Sequence, residues 1–271
     1  MDDSGIKHPF VGRFHSQGFG VESVVFQHGL GGSLEQPLDL LGPEFPATVV
    51  SMDFRGHGPV RSEHLLESAS FEALAEDLVA LLDTLKLQRA WIGGISMGSG
   101  VALNLTLRCP ARVKGLILCR PAWLDKPLPD NLTLFPIIAD LLKTEGVDGG
   151  ARILQASADF LAIAKSAPEC ALSLLKQFTR EHAVRHSTIL RRLPSDCPLS
   201  DLQRCQEIAV PALVIGTRLD PVHPWEFAER LKSAIPAASL VEVPSKSIGL
   251  REHKQATQDS IARFLQQHSL P

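Results

Sequence analysis

The sequence lacks the marks of a membrane or nucleic-acid-binding protein. No run approaches the roughly 20 consecutive apolar residues that a membrane-spanning helix needs, and the polar N-terminal stretch MDDSGIKHPF has no charged-then-apolar signal. Lysine and arginine form no cluster, and the net charge of −3 gives no general attraction to nucleic acid or to an anionic lipid surface. We expect a cytoplasmic chain whose partner is a small-molecule substrate rather than nucleic acid or a membrane; its oligomeric state stays open.

Cysteine is sparse and unpatterned. The five cysteines include no C-x-x-C pair, and an odd, scattered set is typical of reduced thiols in a reducing compartment. Cys119 falls in the apolar run at residues 116–119, which favours core packing over chemistry. We expect neither a metal nor a cofactor.

The 271 residues, 44% hydrophobic and 21% charged, can bury a substantial core. Repeats and low-complexity segments are absent, and short β-rich runs alternate with helical patterns. The runs predicted as strands buried on both faces are residues 23–27, 47–54, 90–95, 113–119, 212–216 and 239–243. The helices predicted between them are residues 71–85, 97–108, 224–235 and 252–267. This alternation predicts the α/β class, with a mostly parallel sheet flanked by helices.

One stretch breaks the alternation. Between Trp123 and Cys205 the helical patterns follow one another without a strand, at residues 134–144, 151–164 and 171–179. We interpret residues 124–205 as a helical cap inserted into a core formed by residues 1–123 and 206–271. Such a cap would shape a pocket and exclude water, and the alternative is a purely structural helical layer.

The segment G-I-S-M-G at residues 94–98 carries the strongest chemical signal. It follows a predicted strand and opens a predicted helix, which is the setting of a nucleophilic serine on a sharp strand-to-helix turn. Glycines two residues to either side let the neighbouring chain pass closely, and the helix N-terminus favours negative charge. The pattern predicts Ser96 as a catalytic nucleophile whose hydroxyl is exposed at the C-terminal end of the strand.

A glycine-rich segment, H-G-L-G-G at residues 28–32, directly follows the first predicted strand. In acyl transfer, preorganised backbone N–H groups stabilise the tetrahedral oxyanion, and we expect the amides of Leu30 and Met97 to do so here. The alternatives are an ordinary tight turn or a phosphate-binding loop. The segment lacks both the P-loop lysine and the G-x-G-x-x-G spacing, however.

Together with D-F-R-G-H-G at residues 53–58, these motifs resemble the α/β-hydrolase superfamily in order and spacing. The resemblance covers nearly the whole chain outside the predicted cap, and it is specific for a fold rather than for a substrate. It implies a triad in the order serine, acid, histidine. Asp220, just beyond the strand at 212–216, matches the acid and would orient the imidazole and stabilise the imidazolium. A helix-capping or turn aspartate is the alternative, and Asp125 is a weaker candidate acid.

The histidine departs from the family pattern, which places Gly-His shortly after the last strand, where this sequence reads S-K-S at residues 245–247. We predict His253 as the base, because positions 253, 257, 261 and 264 share one helical stripe whose later members face the core. A helix N-terminus also disfavours imidazolium, which suits a general base near neutral pH. The alternatives are a solvent-exposed His253 and His223 as the base, although His223 precedes Pro224 and is expected to cap that helix or line the pocket.

Two further residues are candidates for substrate binding. Arg120 follows the fourth predicted strand and could bind a substrate carboxylate or ketone oxygen, the alternative being an ion pair with Asp125 or another cap carboxylate. Trp123 could pack against the substrate or simply fill the start of the cap. His28 and His57 belong to the fold motifs, and the resemblance implies structural roles for them.

The leading interpretation is hydrolysis of an ester-like bond through a covalent acyl-enzyme, as in carboxylesterases, lactonases, thioesterases and C–C bond hydrolases. A serine at the nucleophile position disfavours haloalkane dehalogenase and epoxide hydrolase chemistry, which needs a carboxylate there. Two alternatives stay open. One is a cofactor-free lyase or perhydrolase, and the other is a small-molecule receptor that keeps the pocket without turnover, since fold does not imply function.

Overall fold

A computed structural model describes residues 12–58 and 66–269, and within them seven strands form one sheet in the order β1-β3-β2-β4-β5-β6-β7. All six predicted strands are present, four of them with the predicted bounds. The strands are β1 (Phe14–Gln17), β2 (Ser23–Gln27), β3 (Thr48–Met52), β4 (Ala90–Ile95), β5 (Val113–Cys119), β6 (Ala212–Gly216) and β7 (Ala238–Glu242). The apolar pattern does not predict β1, a short and largely exposed strand that pairs antiparallel with β3.

The remaining pairings are parallel. The carboxyl ends of β2 to β7 therefore lie at one edge of the sheet, where the loops that carry the predicted site residues meet. Every residue of β4 is buried, as expected for a central parallel strand. The expectation of burial on both faces is wrong for β7, which is only partly buried because it is the last strand in the order and has a neighbour on one side only.

Helices cover both faces of the sheet. They are α1 (Glu35–Leu41), α2 (Phe71–Thr84), α3 (Met97–Arg108), α4 (Leu134–Thr144), α5 (Gly146–Ala156), α6 (Ala158–Ser166), α7 (Pro168–Thr179), α8 (Ile189–Arg192), α9 (Trp225–Ala234) and α10 (Leu250–His268). Side chains of α2, α3 and α9 bury one hydrophobic cluster, and side chains of α1 and α10 bury a second. Successive side chains of a strand point to opposite faces of the sheet. In β2, Val25 accordingly belongs to the first cluster and Phe26 to the second.

The helices between β5 and β6 lie where the cap was predicted. The predicted helix at 151–164 is two helices, because Ser157 interrupts it and its Oγ accepts the Phe160 N–H at 3.3 Å. Leu142, Phe178 and Leu190 belong to the same buried cluster as the sheet, so the cap helices pack continuously on the core. No helix in the described ranges is long and apolar enough to cross a membrane.

Candidate active site

Ser96 lies at the turn from β4 into α3 in left-handed backbone conformation, with φ 56° and ψ −108°. Such a conformation is strained for a residue with a side chain and marks functional turns. A Cβ at Gly94 would lie 2.6 Å from the Gly98 carbonyl carbon, and one at Gly98 would lie 2.5 Å from the Gln27 carbonyl oxygen. Both glycines of the motif are therefore required by close backbone packing, as the nucleophile elbow predicts.

The glycine-rich segment at residues 28–32, which carries one amide predicted for the oxyanion hole (the oxyanion segment), comes close to this serine. A Cβ at Gly29 would lie 3.4 Å from Ser96 Cβ. Within the described ranges, neither the Leu30 N–H nor the Met97 N–H donates to a protein acceptor, and the Met97 amide is one of the unpaired first donors of α3. Both amides predicted for the oxyanion hole are thus available beside Ser96.

Two buried histidines hold this segment in place. His57 Nε2 accepts the Gly31 N–H at 2.9 Å, and His28 Nε2 accepts the Phe54 N–H at 3.2 Å. His28 Nδ1 donates to the Gly29 carbonyl at 2.9 Å. Burial lowers the pKa of both imidazoles, so they stay neutral and can accept these bonds. These contacts are structural, in line with the expectation for the two residues.

Helix α7 of the cap lies over the site. Near its start the Cys170 thiol donates to Asp220 Oδ1 at 3.5 Å, and near its end Gln177 Nε2 donates to the Leu30 carbonyl at 3.4 Å. Ser96 retains 8% of its accessible surface. Its hydroxyl has no hydrogen-bond partner in the described ranges, yet it is not among their fully buried unpartnered atoms, so it keeps some contact with solvent.

Asp220 lies on the loop after β6 and binds a histidine, but not the predicted one. Its Oδ2 accepts from His223 Nδ1 at 2.9 Å, and its Oδ1 accepts the backbone N–H groups of Val222 and His223, each at 3.2 Å. Arg120 Nη1 lies 3.4 Å from Oδ2. Burial opposes ionisation of Asp220, but His223 and Arg120 outweigh it and hold the pKa of the carboxyl below its usual range. Of the two roles expected for His223, capping α9 is not seen, and its imidazole instead pairs with the acid.

His253 is buried, which excludes the solvent-exposed alternative and confirms the predicted stripe, since Thr257, Ile261 and Phe264 are buried with it. Its Nδ1 donates to the Pro244 carbonyl at 2.8 Å, so the expected bond to Asp220 is not formed. Its Nε2 therefore carries the lone pair, and that atom is buried without a hydrogen-bond partner in the described ranges. Burial, followed by the charges of Arg120 and Lys246, lowers the pKa of His253 to about 4. Across the described residues, no hydrogen bond joins Ser96 Oγ to an imidazole.

Comparisons with known proteins agree with this geometry. Residues 22–247 match a family model described as the alpha/beta hydrolase fold. The chain belongs to the α/β-hydrolase family. A relative from Pseudomonas syringae named "Putative carbamate hydrolase RutD" is 30% identical over 230 residues, which cover 81% of this chain and 83% of the relative.

Two solved structures show the same fold. The enol-lactonase from Burkholderia xenovorans LB400 superposes with a TM-score of 0.70 at 24% identity, covering 94% of this chain and 96% of the other. A thermophilic esterase from Thermogutta terrifontis superposes with a TM-score of 0.73 at 21% identity, covering 95% of this chain and 94% of the other. The family and the curated relative together support hydrolase activity for this α/β-hydrolase.

Arg120 of the hydrolase directly follows β5 with φ 49°, and it pairs with Asp220 rather than with a cap carboxylate. Asp125, the alternative partner and weaker candidate acid, instead accepts the Leu202 N–H at 3.2 Å and lies 3.9 Å from Arg230. It therefore takes no part in the cluster around Asp220.

Lys246 belongs to this group of charges, although the sequence analysis did not select it. It lies in the S-K-S segment at residues 245–247, which stands where the family pattern has Gly-His. Arg120 and burial lower its pKa to about 8, against the opposing effect of the Asp220 carboxylate. The departure from Gly-His was the signal that could have pointed to it.

Trp123 fills the core at the start of the cap. Its side chain is 2% exposed and packs edge-on against Phe71, with ring centroids 5.3 Å apart. The indole is therefore a packing residue between the sheet and the following helices, which is the second of the two alternatives that the sequence left open for it.

Proposed function

We propose that this α/β-hydrolase cleaves an ester-like bond of a small-molecule substrate, of carboxylesterase, lactonase or thioesterase type, through an acyl-enzyme on Ser96. The strained Ser96 beside the two unpaired amides of Leu30 and Met97 carries the proposal. A nucleophile and a preformed oxyanion site at one point are what acyl transfer requires. The names of its relatives, a carbamate hydrolase, an enol-lactonase and an esterase, all describe attack on a carbonyl group.

In the proposed reaction, Ser96 Oγ attacks the substrate carbonyl carbon while His253 Nε2 takes the hydroxyl proton. The N–H groups of Leu30 and Met97 donate to the oxyanion that forms. Collapse of this intermediate breaks the ester bond, and His253 passes its proton to the leaving oxygen. Water then attacks the acyl-Ser96 ester with the same base, releases the acid and restores the serine.

His253 suits the role of base because its tautomer is fixed. The Pro244 carbonyl can only accept, so the proton is held on Nδ1 and the lone pair remains on Nε2. Asp220 would then assist through its charge, which raises the pKa of His253, rather than through a hydrogen bond. The short distance between Asp220 and His223 makes His223 the rival base, since it too has Nδ1 held and Nε2 available.

Labelling with a fluorophosphonate tests the nucleophile. We expect one covalent adduct on Ser96 by mass spectrometry and none in Ser96→Ala. Absence of label on folded, monodisperse protein would overturn the proposal, and Ser99→Ala is a matched control because Ser99 is buried and bonded to the Cys119 carbonyl.

A second candidate is a small-molecule receptor without turnover. It is favoured by the bond of His253 to a backbone carbonyl and by the lack of an imidazole partner for Ser96 Oγ. A receptor would bind an ester or lactone without releasing acid, whereas the hydrolase would release acid in amounts exceeding the protein concentration.

A further inference from the structure

The charges around Asp220 do not balance. Arg120 and Lys246 are cations, and Asp220 is the carboxylate whose charge acts on Lys246 and pairs with Arg120. Burial keeps the nearby imidazoles of His223 and His253 neutral. The group therefore carries an excess positive charge beneath the cap, and excess buried charge is costly unless a counter-charge is supplied.

Arg120 also has an unused donor. Its side chain is 6% exposed, and Nη1 lies 3.4 Å from Asp220 Oδ2. Its Nε is buried and has no hydrogen-bond partner in the described parts of the chain. Guanidinium N–H groups favour planar oxyanions such as carboxylates, and an unpaired buried donor destabilises the protein until it is bonded.

The chain segments that carry these two cations contact the segments of Ser96 and Asp220. The Cys119 carbonyl, one residue before Arg120, accepts the Ser96 N–H at 2.9 Å. Ser247 Oγ, one residue after Lys246, accepts the Glu169 N–H at the start of α7, and the next residue of that helix, Cys170, contacts Asp220. The Val243 N–H donates to the Gly216 carbonyl at 2.9 Å. This bond links the segment before Lys246 to the end of β6, which the Asp220 loop follows. An anion bound here would belong to the molecule that reacts at Ser96.

We propose that Arg120 and Lys246 bind a carboxylate group of the substrate, so that the enzyme acts on esters or lactones of small organic acids that keep a second, ionised carboxylate. This inference rests on the proposed function and specifies its substrate class. The bound carboxylate would also reduce the positive field at His253, so that the imidazolium forms more readily when the substrate is in place.

Kinetics with matched esters test the preference. Esters that carry a carboxylate on the acyl part or on the alcohol part are compared with otherwise identical esters that carry a carboxamide. We expect kcat/KM for at least one of the anionic esters to exceed that of its neutral match, and Lys246→Gln to reduce this ratio about tenfold, the loss of one favourable charge contact. Lys254→Gln is the matched control, because Lys254 is an exposed lysine on α10, and it should leave the ratio unchanged.

Calorimetry separates this inference from the proposed function. Ser96→Ala protein is titrated with glutarate and with glutaramide, so that binding is measured without any ester cleavage. We expect glutarate to bind more tightly than glutaramide, and about tenfold more weakly after Lys246→Gln. Equal affinity for the two compounds, or binding of neither, overturns the carboxylate site even where Ser96 labels and esters are cleaved. If Ser96 does not label but glutarate still binds more tightly than glutaramide, the hydrolytic proposal is overturned and the carboxylate site stands.

Discussion

Asp220 Oδ2 accepts a hydrogen bond from His223 Nδ1 at 2.9 Å, only three residues along the same loop. Its other oxygen accepts two backbone N–H groups of that loop. The acid is thus engaged within its own turn, and His253 depends on a carbonyl for its orientation. The proposed acid and the predicted base are thus held by different partners and are not bonded to each other.

The identity of the base can be tested by removing each imidazole. His253→Ala should slow fluorophosphonate labelling of Ser96 by about 100-fold or more, the usual contribution of a positioned general base. His223→Ala should slow labelling much less, because Asp220 retains Arg120 and two backbone donors. The reverse order of effects would assign the base to His223.

The stability of the fold should fall in mild acid. The pKa of His253 is about 4 in the folded protein against an ordinary value of 6.5, so the unfolded chain binds more protons between these values. The free energy of unfolding then decreases as pH falls below 6.5, by about 2 kcal/mol at pH 5 from this residue alone.

Urea denaturation at pH 5 and at pH 7.5 measures the difference. His253→Asn keeps an N–H donor for the Pro244 carbonyl but has no titrating group, and it should show a smaller loss of stability in acid. The same pH dependence in both proteins would contradict this account, since His28, His57 and His223 are present in each.

The elbow should not tolerate a side chain at Gly98. Gly98→Ala places a Cβ 2.5 Å from the Gln27 carbonyl oxygen, and backbone must move to relieve the contact. We expect a loss of stability of about 2 kcal/mol or more, together with loss of Ser96 labelling. Gly149→Ala in α5 is the control, because its Cβ would meet only the Glu145 side chain at 3.2 Å, and alanine is the better helix former. Equal stability of the two variants would argue against the packed elbow.

Cys170 should react slowly with thiol reagents although it is only partly buried. Burial, with the charge of Asp220, raises the pKa of Cys170 to about 12, so almost no thiolate exists at neutral pH. Cys109 is also partly buried, and no carboxylate of the described residues bonds to its thiol. Iodoacetamide at pH 8 should modify Cys109 first, as followed by peptide mass spectrometry. Faster modification of Cys170 would show that its thiol is not held against Asp220.

The sequence predicted the parts of the fold whose cause is local. Apolar Val, Ile and Leu runs located six strands, and the glycines around Ser96 located the elbow because only glycine fits such close backbone. Strand β1 was missed because F-H-S-Q at residues 14–17 is exposed and has no apolar pattern. The stripe of α10 predicted burial of His253 correctly for the same local reason.

The partners of the site residues could not be predicted in the same way. Whether Asp220 meets His223 or His253 depends on the turn between Asp220 and α9, which a few backbone hydrogen bonds decide. The role of Lys246 depends on its distance from Arg120, more than a hundred positions earlier in the chain. Such contacts arise only when the carboxyl ends of several strands come together.

Helix α7 touches Asp220 through Cys170 and the oxyanion segment through Gln177, seven residues further on. Two turns of helix span about 10 Å, and the helix start is also tied to the loop of Lys246, since the Glu169 N–H donates to Ser247 Oγ at 3.4 Å. A substrate too large to fit beneath α7 must displace it and would break the contacts at both ends. The acid and the oxyanion amides would then lose support in the same movement, so the length and fit of this one helix would set an upper limit on the size of molecule that the enzyme turns over efficiently.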